Sequence, residues 1–233
     1  MINKTKKVIL FIAEGPTDEE TLSPVLKKIF QKEDVRFHIV HGDLTSNWSV
    51  TAQNAVKTVN RHIDTERKRY GFEKKDILKV IHLVDIDGAF IQEEKVVYGK
   101  HEEILYLRDH IETRFPETVI NRNKRKSQIL SRLSLTGKIS SIPYSIYYFS
   151  RNLEHVLHNS SKNLTNEEKV NYADTFADRY SLDPASFLSF LSGNDFTVPG
   201  DYRDTWEFIS EGTNSLNRYS NFHLLFSSLT EIG

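Results

Sequence analysis

Cysteine is absent from the 233 residues, and methionine occurs once. The first absence removes disulfide staples, thiolate metal sites and cysteine nucleophiles together, and it accords with a reducing compartment. A chain without such clips has to be held by its core, which 38% apolar residues can supply. Long hydrophobic runs are missing as well: no stretch approaches the ~18 apolar residues that a membrane helix needs. The opening Met1-Ile-Asn-Lys-Thr-Lys-Lys7 lacks the apolar segment of a secretory signal. The expectation is a cytoplasmic protein with no membrane contact. Charge of one sign is lacking too. Lys and Arg number 31 against 32 Asp and Glu, for a formal net charge of −1. No global field attracts a polyanion, so a nucleic-acid surface has to be a local patch. Internal repeats and low-complexity tracts are absent. No Ser-His-Asp order or zinc-type histidine spacing stands out, which leaves serine hydrolysis and zinc chemistry without a carrier.

What is present begins with Val8-Ile-Leu-Phe-Ile-Ala13, an apolar run that ends in Glu14 and is broken by Gly15-Pro16. Such a run between turn residues reads as a buried strand. Thr17 is the expected N-cap of the next helix, with Glu20 completing a capping box and Asp18 and Glu19 at the positive end of the helix dipole. Leu22, Val25, Leu26, Ile29 and Phe30 follow at helical spacing, against an interior Pro24 that removes one helix hydrogen bond. Val35 to His41 is expected as the second strand, ending at Gly42-Asp43, and Leu44 to Val50 as a loop. Ala52, Ala55, Val56, Val59 and Ile63 stripe a helix over Thr51 to Tyr70 that Gly71 stops. Ile77 to Val84 is the third strand and runs into Asp85-Ile86-Asp87-Gly88.

Strand and helix in alternation give a parallel sheet with right-handed crossovers. Between Ala89 and Ile142 the pattern loosens into an expected helix over Leu105 to Phe115 and a basic helix over Asn121 to Leu135. Ser141 to Phe149 is the fourth strand, Ser150-Arg-Asn152 a turn, and Leu153 opens a helix. Residues 165–233 are polar and helical in pattern, with apolar clusters at Phe187 to Leu191 and Phe222 to Leu229. The expected fold class is therefore α/β, a parallel sheet of about four strands flanked by helices. It would occupy a domain over residues 1–164, with a basic helical insertion at about 90–140, followed by a helical C-terminal region over 165–233.

In a parallel sheet all the C-terminal strand ends lie on one edge, where open α/β sheets bind ligands. Glu14, Asp85 with Asp87, and Glu154 just past the fourth strand are thus brought toward one another. Converging carboxylates repel unless a cation neutralises them, and all-oxygen donors suit Mg²⁺ or Mn²⁺. The plainer readings stand beside this one. Asp85 and Asp87 are also good turn residues before glycine. Glu14 could pair with a lysine, Asp18 serves the helix N-terminus as readily as a site, and Glu154 suits a helix start. His158 shares a face with Glu154, as a proton donor or phosphate contact or simply as a packed histidine. Arg122, Lys124, Arg125, Lys126 and Arg132 form the dense basic run. With Arg151 beside the turn they are candidates for gripping a phosphate backbone, or else a solvated helix face.

Glu14-Gly15 after the first strand and Asp85-Ile86-Asp87-Gly88 after the third resemble the TOPRIM domain, the metal-binding fold of topoisomerases, primases and a set of nucleases. Ile12-Ala-Glu-Gly-Pro-Thr-Asp-Glu-Glu-Thr-Leu22 is similar to the opening of OLD-type and RloB-like stand-alone TOPRIM proteins of prokaryotic anti-phage defence. Asn152-Leu-Glu154 and His158 resemble a later segment of such proteins more loosely. The resemblance implies metal-dependent phosphodiester cleavage of DNA or of RNA such as tRNA. Mg²⁺ or Mn²⁺ would be held by Glu14, Asp85 and Asp87, and Glu154 would assist a second cation. It also implies an abortive-infection toxin controlled by a separate ABC-type ATPase, since this chain carries no G-x-x-x-x-G-K-[ST] motif. A homodimer is compatible with it. Two alternatives share the same residues: a TOPRIM-like regulatory module that docks on the ATPase without turnover, and a primase-like nucleotidyltransferase.

Overall fold

Strand β1, Val8–Ala13, is buried at all of its positions, as befits a strand covered on both faces. The computed structural model describes residues 7–40 and 44–227. After β1 come α1 (Pro16–Ile29), β2 (Asp34–Ile39), α2 (Ala55–Tyr70) and β3 (Ile77–Asp85). Three short strands follow, β4 (Val96–Tyr98), β5 (Leu105–Tyr106) and β6 (Ile111–Thr113), and then the long helix α3 (Pro116–Ser134). β7 (Lys138–Ile139) and β8 (Ile142–Phe149) lead into α4 (Leu153–His158), α5 (Asn166–Ser181), α6 (Pro184–Ser192), α7 (Tyr202–Ser210) and α8 (Leu224–Ser227).

The main sheet has the order β2-β1-β3-β8-β7. The first four strands are parallel, as expected, and β7 turns back antiparallel on the start of β8. Alternation along β1 feeds two cores. Val8, Leu10 and Ile12 pack with Val59 and Ile63 of α2 and Ile129, Leu130 and Leu133 of α3. Ile9, Phe11 and Ala13 pack with Leu22, Val25 and Leu26 of α1. That second core also takes Phe176, Tyr180, Phe187 and Leu191 of α5 and α6, so residues beyond 165 are built into the body of the sheet. Each fully buried side chain of this size contributes roughly 1.5–3 kcal/mol.

The β8 edge is closed by the chain's later residues. The Tyr148 N–H donates to Asn221 Oδ1 at 3.0 Å, the Ser150 N–H to the Tyr219 carbonyl at 2.9 Å, and the Ser220 hydroxyl to the Tyr148 carbonyl at 2.7 Å.

Several boundaries differ from the sequence expectation. Gly15, which has no side chain to cap with, is the N-cap residue of α1; Pro16 takes the first helical position, and Asp18, not Glu20, reaches back to accept the N-cap N–H. Proline's fixed φ is pre-organised for that position, which moves Thr17 inside the first turn. Pro24 is accommodated within α1. Helix α2 starts at Ala55 rather than Thr51, because Thr51 and Asn54 bond each other's main chain in a turn ahead of it. Gly71 ends α2 at φ 71°, the left-handed stop expected of it. The expected helix over Leu105 to Phe115 is instead a pair of strands. β5 and β6 pair antiparallel, Leu105 with Glu112 and Tyr106 with Ile111, and β6 pairs in parallel with β4. β-branched Ile111 and Thr113 favour a strand, and Pro116 at the first position of α3 places the helix start after them. His41, Gly42, Asp43 and Leu229 lie outside the described residues. Among the described residues, no helix is long and apolar enough to cross a membrane.

Candidate active site

Parallel pairing carries three chain segments to one edge. Ile12 is in register with His82, and Asp85 with Phe149, so Glu14, Asp85 and the Ser150-Arg151-Asn152 turn all emerge there. The Ile86 N–H donates to the Phe149 carbonyl at 3.0 Å and the Asp87 N–H to the Arg151 carbonyl at 3.1 Å, extending the pairing past the strand ends. Asp87 and Gly88 both take positive φ, 52° and 67°, which turns the chain sharply under the site. Asn152 caps α4 by accepting the His155 N–H at 2.8 Å, and this seats Glu154 in the first turn.

Asp85 is the electrostatic centre. Its Oδ1 accepts the Leu153 N–H at 3.1 Å. Burial pushes its pKa well above the usual carboxylate range, and Asp18, Asp87 and Glu154 raise it further, with Lys126 opposing. Asp18 is pushed up to about 6, first by burial and also by Glu154, against hydrogen bonds from the Gly15 and Glu14 main chain and the charge of Lys169. Asp18 serves the helix start, its Oδ2 accepting the Gly15 N–H at 3.0 Å, and the charge of Glu154 also bears on it. Glu154 is buried and sits 3.0 Å from Lys169 Nζ. The Thr165–Glu168 capping box at the start of α5 fixes the turn that delivers Lys169. Lys126 is fully buried, its Nζ 2.6 Å from Asp87 Oδ2.

The structure thus draws Asp18, Asp85, Asp87 and Glu154 into one cluster with two ammonium groups. Glu14 lies half-buried at the same edge and joins it through its main-chain N–H. In donor chemistry the group fits a hard divalent cation, being all carboxylate oxygen. In geometry, among the described residues, no three His, Asp or Glu side chains are already set as a metal cage. Lys169, in a region that sequence reading left without a role, carried no local signal, because its partner Glu154 lies on another helix.

The basic residues of α3 are mostly turned inward. Arg122 donates to the Asp87 carbonyl at 2.9 Å and to the Tyr106 hydroxyl at 2.8 Å. Asn123 reaches the Gly88 carbonyl at 3.4 Å. Lys124 pairs with Glu93 at 2.9 Å, and Arg125 stacks 3.8 Å from the Trp48 ring and bonds the Ser46 carbonyl. Burial removes Lys126 from the residues able to grip a phosphate backbone, because α3 packs it over the Asp87 turn as a counter-ion. Arg132 is exposed. Arg151 is buried, donates to the Ser161 carbonyl at 2.6 Å and to Asn163 Oδ1 at 2.8 Å, and stacks 4.8 Å from the centre of Tyr106. His158 packs between α4 and α5 against Tyr172 and Phe176, and burial lowers its pKa. His155, which sequence reading passed over, is lowered to about 4 by burial and by Arg151 and Arg218. No protein-family model, curated protein or solved structure matches the chain. The weight of a functional reading falls on these strand-end carboxylates and their surroundings.

Proposed function

We propose that the chain is a TOPRIM-type, Mg²⁺-dependent nuclease acting on RNA or DNA. The observation that carries this reading is Asp85, a half-buried carboxylate at the C-terminal end of a parallel strand, whose ionisation Asp18, Asp87 and Glu154 all oppose. Such a concentration of negative charge is costly in an apolar setting and is what a divalent cation relieves. Asp85, Asp87 and Glu14 would hold the cation, with Glu154 and Asp18 beside them. When bound, Mg²⁺ supplies charge stabilisation at a phosphate oxygen and a nucleophilic water. The protein's own share is to hold the carboxylates on rigid strand ends and to orient Asp85 through the Leu153 N–H. The opening motif extends the proposal to an anti-phage toxin under the control of an ABC-type ATPase.

The test incubates purified protein with tRNA, single-stranded DNA and duplex DNA in Mg²⁺, Mn²⁺ or chelator. Metal-dependent cleavage that Asp85→Ala abolishes, in a protein of unchanged circular dichroism, is the expected result. Wild-type cleavage by Asp85→Ala would refute it. A second reading is favoured by Lys126 and Lys169, which already supply positive charge to the cluster. It is a regulatory module that docks on the ATPase and turns nothing over. Absence of cleavage on every substrate, with stable co-purification of an ATPase, decides for that alternative.

A further inference from the structure

Beside the acid cluster lies a second feature of opposite charge. A cavity of about 620 Å³ opens between the β5–β6 turn, α4 and the segment around Leu216 to Tyr219. Its volume falls in the range of small-ligand sites. Arg108, Arg151 and Arg218 line it and outnumber its one acid, Asp195, by two. None of the three arginines forms an ion pair among the described residues. Arg151 is 4% exposed, and burial lowers the pKa of both Arg151 and Arg218, against the opposing charges of Asp87 and Glu154 on the first and Asp195 on the second. Arg218 is held in place by its Nε, which donates to the Val156 carbonyl at 2.8 Å, and by stacking 4.9 Å from the Phe196 ring. His155 also lines the cavity, and its buried Nδ1 meets no hydrogen-bond partner. Tyr106 and Tyr219 add aromatic wall.

The geometry points to a binding site for a nucleoside phosphate monoester in this cavity, its dianionic phosphate held by Arg108, Arg151 and Arg218 next to the strand-end carboxylates. A monoester dianion balances the surplus of two positive charges, and guanidinium forks match phosphate oxygens in shape. Arg151 already covers Tyr106, so Tyr219 is the aromatic wall that a base would meet. Arg151 and Tyr106 feel the charge of Asp87, and Arg151 that of Glu154, so the cavity adjoins the acid cluster. The inference rests on the nuclease reading for its polynucleotide, whose phosphorylated end would be anchored here while an internal linkage lies over the carboxylates. The same chemistry is offered by a free mononucleotide.

The test is calorimetric titration of the full chain, in chelator, with short single strands bearing a phosphate at the 5′ end, at the 3′ end or at neither, and with adenosine 5′-monophosphate. A phosphorylated end is expected to bind about tenfold or more tightly than a hydroxyl end, as charge-assisted hydrogen bonds require. Arg108→Glu, at an exposed position, removes that preference with unchanged thermal melting, and Arg218→Gln weakens it. Equally tight binding of the mononucleotide assigns the site to a free nucleotide, and binding of the strand alone assigns it to a chain end; both support the site. Equal affinity for phosphorylated and hydroxyl strands, or a preference intact in both variants, overturns it. Because no turnover is involved, the two proposals fail separately. Cleavage without an end preference refutes the pocket alone, and an end preference without cleavage refutes the nuclease alone.

Discussion

Asp18→Asn separates a helix-capping carboxylate from a member of the acid cluster. If capping were its main role, losing the charge at the positive end of α1 would cost about 0.3–1 kcal/mol. Burial and Glu154 instead raise its pKa from 3.8 to about 6. A carboxylate whose folded-state pKa is raised binds its proton more tightly in the native state. Its contribution to stability is therefore fully present below about pH 4 and is lost as pH rises through about 6. Raising the pKa from 3.8 to about 6 corresponds to ~3 kcal/mol, which the partial solvent access of Asp18 reduces to about 1–2 kcal/mol. Asparagine keeps the oxygen that accepts the Gly15 N–H and drops the charge. At about pH 7.5 the variant should then be more stable than wild type by about 1 kcal/mol, a rise of roughly 2–4 °C in melting temperature. At about pH 4 the advantage should vanish, because both forms are then neutral. Urea denaturation at the two pH values measures both. A less stable variant at the higher pH, or a difference independent of pH, would refute the assignment of Asp18 to the cluster.

Lys126→Met keeps the aliphatic stem but leaves the Asp87 carboxylate without its ammonium. Breaking a buried pair costs about 3–5 kcal/mol, and the 26% exposure of Asp87 lowers the expected loss to about 2–3 kcal/mol by urea denaturation. Gly88→Ala should cost about 1–3 kcal/mol, since a Cβ there would stand 2.5 Å from Leu216 Cδ2 at φ 67°. Recovery of wild-type stability in crystals or in solution without movement of Leu216 would contradict that clash. Mg²⁺ binding near pH 6 should release protons, because Asp18 and Asp85 hold theirs above the usual range. Calorimetry in two buffers of different ionisation enthalpy detects the release, and its absence would mean that neither carboxylate meets the ion.

The part of the fold organised by short-range chemistry was legible in the sequence. Continuous apolar runs bounded by Gly and Pro located β1 and β3, and the helical stripe of Val59 and Ile63 located α2. The antiparallel pair β5–β6 was not legible, because two- and three-residue strands carry too few positions to show a period. At the site, Asp85 and Glu154 could be placed at strand ends from order alone. Their counter-charges could not. Lys126 looked like one of several surface cations on a basic helix, and only the packing of α3 over the Asp87 turn decides that it points inward. The arginines of the cavity, Arg108, Arg151 and Arg218, come from three separate stretches of chain, and no spacing rule joins them.

The clasp that residues 219–221 place on the end of β8 has a consequence for the order in which the molecule is made. Strand β8 and the turn bearing Arg151 leave the ribosome some seventy residues before Ser220 does. At roughly 5–20 residues per second, that is an interval of several seconds in which the sheet edge beside the site lies open to any other strand. The acid cluster and the arginine-lined cavity share that edge, and Arg218 arrives only with the clasp itself. Synthesis interrupted before Arg218 therefore yields a chain that has its carboxylates but neither its sealed edge nor its complete anion site.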